Sequence, residues 1–504
     1  MSIVRILRCL RLIHACGLRI QILAMSASLK FITIFLTVLS AYLFISFHLF
    51  EAVYKAQPTV IDELFHIPQG IAYCERNFSY WDPKITTLPG LYLVSSIISV
   101  LNLDCNTYYL RLVNLIASCV NLIIFAFLLK FIYGSNTGSQ LKVVMQSLSL
   151  AILPPLYFFS FVYYTDTLSL LVLLIFTITS VVIKSKWLVF VFGVLSVLMR
   201  QTNVVWIAMV LGHKVLGLLL RSSRVYGNTY LNKHANRRSI IASNIDSSKL
   251  KGYYNLNDVV IALKYHLSTF FTTVFKFLTV SDFIIIIQQV LVLLGFVTFV
   301  YVNGSIVVGD KTAHQATLHL PQLLYFLLFY GIFGLPYVLG RLPSTVKLIF
   351  RNKLQVIFLA FLFTAIVHFN TLVHPYLLAD NRHYTFYVWN RWFGKYEYAK
   401  YATVPAYIFL LFSLYDNLKD QNCISFLLPY TISLFLTLAL QKLVDVRYFL
   451  VPYIIIRLRF VKSSYKVVFF ELIWYLGINF ATFHLFFNKD FMWMDFEESQ
   501  RIIW

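Results

Sequence analysis

Carboxylates are concentrated in one short stretch of this chain, Thr59–Tyr92. The 504 residues include only 21 acidic residues, yet four of these fall between positions 62 and 82: Asp62, Glu63, Glu75 and Asp82. His66 and Gln69 follow Asp62 at the i+4 and i+7 spacing of one helical face, although Pro68 interrupts the pattern. A carboxylate held beside polar and aromatic groups can act as a general base that removes a proton from a hydroxyl.

Further polar clusters lie at the ends of apolar stretches. In chain order they are Asp166; Arg200, Gln201 and Asn203; Asp310, Lys311, His314, His319 and Gln322; His374, Asp380, Arg382, His383, Trp389 and Arg391; and Asp445, Arg447 and Tyr448. Each cluster also fits a structural role. Basic side chains anchor helix ends, aromatic residues form interfacial belts, and a lone aspartate at a helix start, such as Asp166, caps the helix.

The sequence gives no support to metal or nucleotide chemistry. His314 and His319 have no cysteine partner nearby, and their spacing is not that of a zinc site. The chain contains no Asp-x-Asp motif, no Walker motif and no dinucleotide fingerprint. We therefore predict no metal and no cofactor.

The composition predicts that these clusters are positioned by membrane helices. The chain is 59% hydrophobic and 12% charged, with a mean hydropathy of +0.75, so it could not cover itself with polar surface in water. Apolar runs of roughly 17–25 residues predict membrane helices. The candidates are Phe31–Phe50, Leu112–Tyr133, Val143–Tyr163, Leu168–Ile183, Trp187–Met199, Val204–Leu220, Phe283–Val302, Leu323–Leu339, Leu354–Val373, Val404–Tyr415, Ile424–Leu440 and Val467–Phe487. We predict an all-α polytopic membrane domain over residues 31–504, with about 12–14 transmembrane helices.

The net charge of +21 indicates topology rather than nucleic-acid binding. Basic residues cluster in separate segments, 1–30, 221–257 and 341–353, that flank apolar spans. Short basic loops stay in the cytosol. We interpret residues 1–30 as a cytosolic extension before a retained signal anchor, and residues 221–257 as a mobile cytosolic loop.

A cytosolic N-terminus places the acid-rich stretch on the lumenal side. Residues 51–110 then form a large first lumenal loop, in which Pro89–Asn102 is an interfacial or re-entrant helix. Both Asn-x-Ser/Thr sequons, at Asn77 and Asn303, fall on the lumenal side of this topology. Cys74 and Cys105 could form a disulfide if both are lumenal.

Glycosyl transfer from a lipid phosphate fits an acid-rich loop beside lumenal cations. The acceptor hydroxyl needs one carboxylate base, and the leaving phosphate needs only positive charge, which arginine supplies bidentately. Such a single displacement inverts the anomeric centre. Two alternatives stay open, a transporter with polar residues along a path through the bilayer and a non-catalytic scaffold or channel modulator.

Four motifs resemble one family in the same order along the chain. They are "DELFHIPQ…YC…F…WDPKITTLPGLY", "GDKTAHQATLHLPQ", "HPYLLADNRHYTFYVW" and "RYFLVPY". Together they are similar to the Die2-like alpha-1,2-glucosyltransferases of the endoplasmic reticulum, from about Ile61 to the "QRIIW" stretch. Residues before Lys30 and the 221–257 loop depart from the pattern.

The resemblance implies a GT-C fold in the endoplasmic reticulum membrane, with a lumenal active site and two substrates. The donor is dolichyl phosphate glucose, the acceptor is Glc2Man9GlcNAc2-diphosphodolichol, and the product is an alpha-1,2 bond. The catalytic acid of the first lumenal loop carries over to Asp62, with Glu63 as second choice. We expect Arg382 to bind the donor phosphate, with Lys311, Arg447 and His383 as further candidates. We expect the acceptor to contact His66, Gln69, Trp81 and Asp82.

Overall fold

The computed structural model describes residues 29–133, 140–231, 256–311, 317–373, 378, 380–419, 422–460, 463–493 and 498–504. Residues 1–28 of the predicted N-terminal extension and residues 232–255 of the predicted cytosolic loop lie outside these ranges. So does His314.

The described chain is almost entirely helical. Its first half forms α1 Leu29–Ala56, α2 Glu63–Cys74, α3 Gly90–Val100, α4 Thr107–Tyr133, α5 Gln140–Ala151, α6 Pro154–Phe158, α7 Thr165–Ile178, α8 Leu188–Met199, α9 Asn203–Leu231, α10 Leu256–Ser268, α11 Thr272–Phe275 and α12 Val280–Asn303. A short π-helical turn, Thr179–Ile183, continues α7.

The second half contains shorter helices and one small sheet. Its helices are α13 Pro321–Phe333, α14 Leu335–Gly340, α15 Leu342–Arg351, α16 Lys353–Asn370, α17 Tyr384–Val388, α18 Ala399–Ala402, α19 Val404–Leu418, α20 Ile424–Leu438, α21 Leu450–Arg457 and α22 Tyr465–Asn488. A π-helical turn, Trp389–Phe393, follows α17, and a 3₁₀ turn, Val446–Phe449, precedes α21. Strands β1, Asp490–Phe491, and β2, Gln500–Arg501, pair antiparallel.

The protein is an all-α polytopic membrane protein, as predicted. Seven helices within the described ranges are long and apolar enough to cross a membrane: α1, α4, α7 with its π turn, α9, α12, α16 and α22. Four shorter apolar helices accompany them: α3, α8, α13 and α20. The total of about 12–14 crossings stays a prediction.

Two of the predicted continuous spans are broken by proline. The span predicted over Val143–Tyr163 divides into α5 and α6 at Pro154 and Pro155. The span predicted over Leu323–Leu339 divides into α13 and α14 next to Pro336. Proline lacks the backbone N–H that a helix interior needs and clashes with the preceding turn, so each span continues as two shorter helices.

The first loop folds into a helical hairpin, α2 and α3, that lies on the ends of α4, α7 and α8. Its apolar face forms a hydrophobic cluster with these helices, and the buried members include Ile67, Leu91, Tyr92, Leu110, Tyr163 and Met199. A disulfide joins Cys74, the last residue of α2, to Cys105, just before α4. Cys74 and Cys105, which flank α3 in sequence, therefore lie side by side, and the interfacial or re-entrant position of Pro89–Asn102 stays a prediction.

The loop between α12 and α13 packs on the first loop. The backbone N–H of Val308 donates to the Thr86 carbonyl at 3.2 Å, and that of Asp310 donates to the Pro83 carbonyl at 2.8 Å. Gly309 lies between them with φ +69°, and a Cβ there would overlap the Pro83 and Ile85 carbonyl oxygens. Glycine is required here both for its left-handed backbone and for the close approach.

Candidate functional site

Asp62 is presented by a constrained turn immediately before α2. Ile61 has φ +41°, a conformation that costs a β-branched residue free energy. The Tyr164 hydroxyl accepts a hydrogen bond from the Asp62 N–H at 2.9 Å and donates to the Val60 carbonyl at 3.2 Å, so it holds both sides of the turn. The Asp62 side chain is 39% exposed, and its Oδ2 lies 3.4 Å from Arg447 Nη2. The carboxylate is therefore both fixed in place and accessible.

Glu63, the adjacent carboxylate, is fully buried. Its two oxygens accept from Arg111 Nε at 2.8 Å and Arg111 Nη2 at 2.5 Å. They also accept from the backbone N–H groups of Val60 at 2.8 Å and Tyr163 at 2.6 Å. With four donors and no exposed surface, Glu63 joins the Asp62 turn to α4 and to the segment before α7, and its carboxylate cannot reach a substrate hydroxyl in this arrangement.

His66 lies one turn after Asp62 on the same helix. Its Nδ1 is 2.5 Å from the Tyr92 hydroxyl, and its ring faces the Tyr164 ring at a centroid distance of 5.7 Å. Burial lowers the pKa of His66, and the positive charge of Arg447 acts in the same direction, whereas the Asp62 carboxylate partly opposes the shift. The imidazole is therefore neutral near pH 7 and can exchange hydrogen bonds without adding charge.

Gln69, Trp81 and Asp82 form the other wall of the α2–α3 hairpin. The buried Gln69 side chain donates to the Tyr80 carbonyl at 2.7 Å and accepts from the Asp82 N–H at 2.9 Å, so it fixes the loop between the two helices. The Trp81 ring packs edge-on against Tyr92 at 6.1 Å. The indole N–H of Trp81 is buried and has no hydrogen-bond partner among the described residues.

Arg447 faces Asp62 from the turn before α21. Its Nε donates to Asp445 Oδ2 at 2.8 Å, and its Nη2 lies 2.6 Å from the same oxygen. Burial alone would raise the pKa of Asp445, but the charge and hydrogen bonds of Arg447 outweigh it and lower the pKa. The side chain of Arg447 is partly exposed, and within the described part of the chain no hydrogen bond is recorded for its Nη1. One edge of the guanidinium is therefore open.

Arg382 is held in a more closed environment. It forms a bidentate pair with Asp380, with Nε–Oδ1 at 2.9 Å and Nη2–Oδ2 at 2.8 Å, and its Nη1 donates to Gln500 Oε1 at 3.2 Å. Its guanidinium also stacks on Trp493 at 4.3 Å from the ring centroid. Burial opposes the ionisation of Asp380, but the Arg382 hydrogen bonds and charge prevail and lower the pKa of Asp380.

His383 lies beside Asp380 and the C-terminal segment. Its Nδ1 is 3.0 Å from the Trp504 carbonyl, which accepts the ring N–H, and its Nε2 lies 3.9 Å from Asp380 Oδ2. The backbone around it pairs with Ile503, whose N–H donates to the Arg382 carbonyl at 2.7 Å. Charge on His383 also lowers the pKa of Asp445, so this imidazole belongs to the same electrostatic environment as Arg447.

Lys311 follows Asp310, whose backbone N–H contacts the first loop. Its side chain is exposed and its Nζ donates to the Asn303 carbonyl at 2.5 Å. The structure therefore brings Asp62, His66 and Arg447 together, with His383 and Asp445 beside them. No contact with Asp62 is recorded for Lys311 or Arg382 in the described ranges.

Asp166 forms an ion pair with Arg200 Nη1, which the sequence did not predict. It is not the helix cap expected from its position, because α7 begins one residue earlier at Thr165 and no side-chain capping hydrogen bond is present. The Arg200 guanidinium lies 5.7 Å from the Tyr448 ring, so the pair borders the Arg447 turn. The sequence signal was an acid and a base at two neighbouring helix ends.

The described residues contain no group of three His, Cys, Asp or Glu side chains that could hold a metal ion. The charges that surround Asp62 belong instead to arginine–aspartate pairs. An exposed carboxylate, a neutral imidazole, an open guanidinium edge and aromatic rings can together bind a sugar hydroxyl and an anionic phosphate.

Comparison with known proteins agrees with this chemistry. The sequence profile described as the DIE2/ALG10 family matches residues 56–458. A Drosophila melanogaster protein is 39% identical over 467 residues, which cover 91% of this chain and 96% of the relative. A Homo sapiens protein is 36% identical over 491 residues, covering 93% and 98%, and an Arabidopsis thaliana protein is 31% identical over 490 residues, covering 88% and 94%.

All three relatives carry the name Dol-P-Glc:Glc(2)Man(9)GlcNAc(2)-PP-Dol alpha-1,2-glucosyltransferase. No solved structure matches the chain. The match extends over both the first loop and the Arg447 turn, so the chain belongs to the DIE2/ALG10 family.

Proposed function

We propose that this chain transfers glucose from dolichyl phosphate glucose to Glc2Man9GlcNAc2-diphosphodolichol. It adds the third, terminal glucose in alpha-1,2 linkage to the lipid-linked oligosaccharide used for protein N-glycosylation. Family membership and the shared name of relatives from animals and plants support the substrates. The observation that carries the chemistry is the accessible Asp62 carboxylate 3.4 Å from an arginine with an open edge.

In the proposed reaction, Asp62 removes the proton from the acceptor 2-hydroxyl as that oxygen attacks the anomeric carbon of glucose. The bond between this carbon and the donor phosphate oxygen breaks, and dolichyl phosphate leaves with the electron pair. Because the attack is a single displacement from the opposite face, the beta-linked donor gives an alpha-linked product. The proton ends on Asp62 and passes to solvent through the exposed side of the carboxylate.

Arg447 is the cation best placed to stabilise the leaving phosphate. Its Nε and Nη2 are held by Asp445, so the guanidinium is oriented before substrate arrives, while Nη1 can donate to a phosphate oxygen. A preorganised donor of this kind stabilises charge as it develops in the transition state. His383 is the second candidate for the phosphate, because its imidazole lies beside the Asp380–Arg382 pair, with Nε2 3.9 Å from Asp380 Oδ2. Arg382 in this scheme supports His383 and the loop, and Lys311 attracts the anionic lipid.

The remaining first-loop residues position the base and contact the acceptor. Glu63 fixes the Asp62 turn through Arg111 and takes no proton. His66 and Trp81 offer the acceptor a neutral imidazole and an indole N–H. Asp82 caps its own turn by accepting from the Lys84 N–H at 2.8 Å, which leaves its second oxygen for an acceptor hydroxyl, and Gln69 holds this loop in place.

The proposed location is the endoplasmic reticulum membrane, with the site on the lumenal face and a GT-C arrangement of helices. The Cys74–Cys105 disulfide supports the lumenal assignment, because disulfides persist in oxidising compartments. Protease protection and cysteine labelling at Asn77 and Asn303 in sealed microsomes test it. Labelling of either position by an impermeant reagent from the cytosolic side would contradict the topology.

Reconstitution tests the activity directly. Proteoliposomes with the purified chain, dolichyl phosphate glucose and Glc2Man9GlcNAc2-diphosphodolichol should yield an oligosaccharide one hexose larger, with the new linkage alpha-1,2. Asp62→Asn is the matched inactive control. A chain that moved solute across the vesicle without forming this product would support the transporter alternative, and a chain with neither activity would support a scaffold.

A further inference from the structure

Asp166 and Arg200 form a third arginine–aspartate pair near the site, and one carboxylate oxygen of Asp166 accepts no hydrogen bond among the described residues. Asp166 is 4% exposed, and Arg200 Nη1 occupies only its Oδ1. The other carboxylate oxygen, Oδ2, is buried with no hydrogen-bond partner among the described residues. A buried acceptor without a donor costs free energy, so this oxygen is suited to a donor that the folded chain itself does not supply.

Helix capping does not account for this arrangement. Asp166 lies inside the first turn of α7, after the N-cap position occupied by Tyr164, and no side-chain capping hydrogen bond is present there. Arg200 has no recorded hydrogen bond through Nε or Nη2 within the described ranges, and its side chain is partly exposed. The pair therefore offers one acceptor and further guanidinium donors, the combination that binds neighbouring hydroxyls of a sugar.

Two tyrosines connect this pair to the reacting groups. Tyr164, two residues before Asp166, holds the Asp62 turn and faces the Arg447 guanidinium at 5.2 Å. Tyr448 follows Arg447 directly and faces the Arg200 guanidinium at 5.7 Å. The Asp445–Arg447 and Asp166–Arg200 pairs are therefore neighbours, linked through Tyr448, with the proposed base Asp62 next to Arg447.

Because Asp166 is buried, its proposed ligand is the single hexose of the donor and not the large acceptor oligosaccharide. The acceptor is a large branched oligosaccharide that approaches from the exposed side of Asp62. An almost completely buried carboxylate beside Tyr164 and Thr167 can be reached by a single hexose held between base and phosphate. On the proposed function given above, that hexose is the glucosyl group of the donor.

We propose that Asp166 and Arg200 form the subsite that binds hydroxyls of the transferred hexose and distinguishes glucose from its epimers. Asp166 Oδ2 accepts a hydrogen bond from one hydroxyl, and the open guanidinium nitrogens of Arg200 donate to the oxygen of the next. A site built from such groups rejects a sugar whose hydroxyl is misplaced, because its buried polar atoms are then left unpaired.

Steady-state kinetics with two donors test this subsite. The variants are Asp166→Asn and the charge-conserving Arg200→Lys, assayed with varied dolichyl phosphate glucose or dolichyl phosphate mannose at saturating acceptor, and with varied acceptor at saturating glucose donor. We expect kcat/KM for the glucose donor to fall about 10–100-fold in Asp166→Asn, mainly through the donor KM, as for loss of a hydrogen bond to a charged group. The preference for glucose over mannose should narrow, and the acceptor KM should stay unchanged.

Asp416→Asn provides the matched control. Asp416 is another buried aspartate, paired with Lys419 at 2.6 Å and Arg341 at 3.7 Å in the last turn of α19, away from the site. Its loss should lower the amount of folded protein without changing donor preference. If Asp166→Asn and Arg200→Lys behave like Asp416→Asn, or if they change the acceptor KM alone, the subsite proposal is wrong. Absence of transfer by the unmodified chain would instead contradict the proposed function.

Discussion

Two turns of this protein share the same local Asp–x–Arg hydrogen-bond pattern but place the arginine beside different neighbours. In Asp380–Asn381–Arg382 and in Asp445–Val446–Arg447, the aspartate accepts from the arginine backbone N–H, at 3.0 Å and 2.8 Å, and from the arginine Nε, at 2.9 Å and 2.8 Å. Beyond that turn they differ. Gln500 and Trp493 cover Arg382, whereas Arg447 faces the exposed Asp62. A local motif thus sets the orientation of an arginine, but distant residues decide whether it can meet a substrate.

Removing the Asp62 carboxylate, which faces the Arg447 turn and has no counterpart beside Arg382, should have the largest effect on turnover. Asp62→Asn keeps the size of the side chain and loses the carboxylate that we propose as the base, so turnover should fall about 10²–10⁴-fold. The thermal unfolding midpoint should change little, because Asp62 is exposed and its contact with Arg447 is long. Transfer rates and unfolding are measured on the same detergent-purified protein. Near-normal turnover in Asp62→Asn would show that another group acts as the general base.

Exchanging each arginine for lysine compares the two turns directly. Arg447→Lys keeps the charge and loses the planar fork, so turnover should fall about 10²–10³-fold, the cost of losing one transition-state donor. Arg382→Lys should instead lower stability by about 1–3 kcal/mol through its buried hydrogen bonds, with turnover per folded molecule altered only a few-fold. Strong loss of turnover in Arg382→Lys beside a normal Arg447→Lys would reverse the roles assigned to the two turns.

Acid titration should affect both turns in the same direction. The pKa values of Asp380 and Asp445 are lowered in the folded protein, so each ionised carboxylate contributes stability above its unfolded pKa of about 3.9. That contribution disappears as pH falls through the folded pKa, with a slope of at most about 1.4 kcal/mol per pH unit for each group. The destabilisation caused by Asp380→Asn should therefore stay constant from pH 7 to 5 and shrink below pH about 4. A difference that shrank already near pH 6 would show that Asp380 is not held ionised by Arg382.

Chelation should have the smallest effect of all. If arginines neutralise the donor phosphate, treatment with EDTA should leave the transfer rate unchanged within about two-fold. The same preparation assayed with added Mn²⁺ or Mg²⁺ is the control. If activity is lost in chelator and restored by a divalent ion, the principal phosphate contact is a metal ion and not Arg447.

The positions of the long, unbroken membrane helices could be predicted from the sequence, because an apolar run of sufficient length identifies them. The predicted span Phe283–Val302 corresponds to Val280–Asn303, and Leu354–Val373 corresponds to Lys353–Asn370. Composition also located the acid-rich loop. It could not separate Asp62 from Glu63, because their difference comes from Arg111, forty-eight positions away in sequence.

Local sequence also could not distinguish Arg382 from Arg447 as candidate phosphate contacts, again because the difference between them comes from residues far away in the chain. Arg382 and Arg447 each follow an aspartate by two positions, so nothing adjacent in sequence distinguishes them. Arg382 is covered by Gln500, 118 positions later. Arg447 meets Asp62, 385 positions earlier. Such pairings depend on how the helices assemble, which hydropathy and charge patterns do not specify.

The pairing of Ile503 with the backbone of Arg382 and Tyr384 also has a consequence for biogenesis. A chain emerges from the ribosome N-terminus first, so the Asp62 loop is synthesised early and the residues around Ile503 follow every helix described. Until they arrive, the segment Arg382–Tyr384 lacks the N–H and carbonyl partners that Ile503 provides. The Arg382–Tyr384 segment can therefore be completed only after the residues around Ile503 have been synthesised, and nascent chains stalled before this point would contain Asp62 and Arg447 without these backbone partners of the segment.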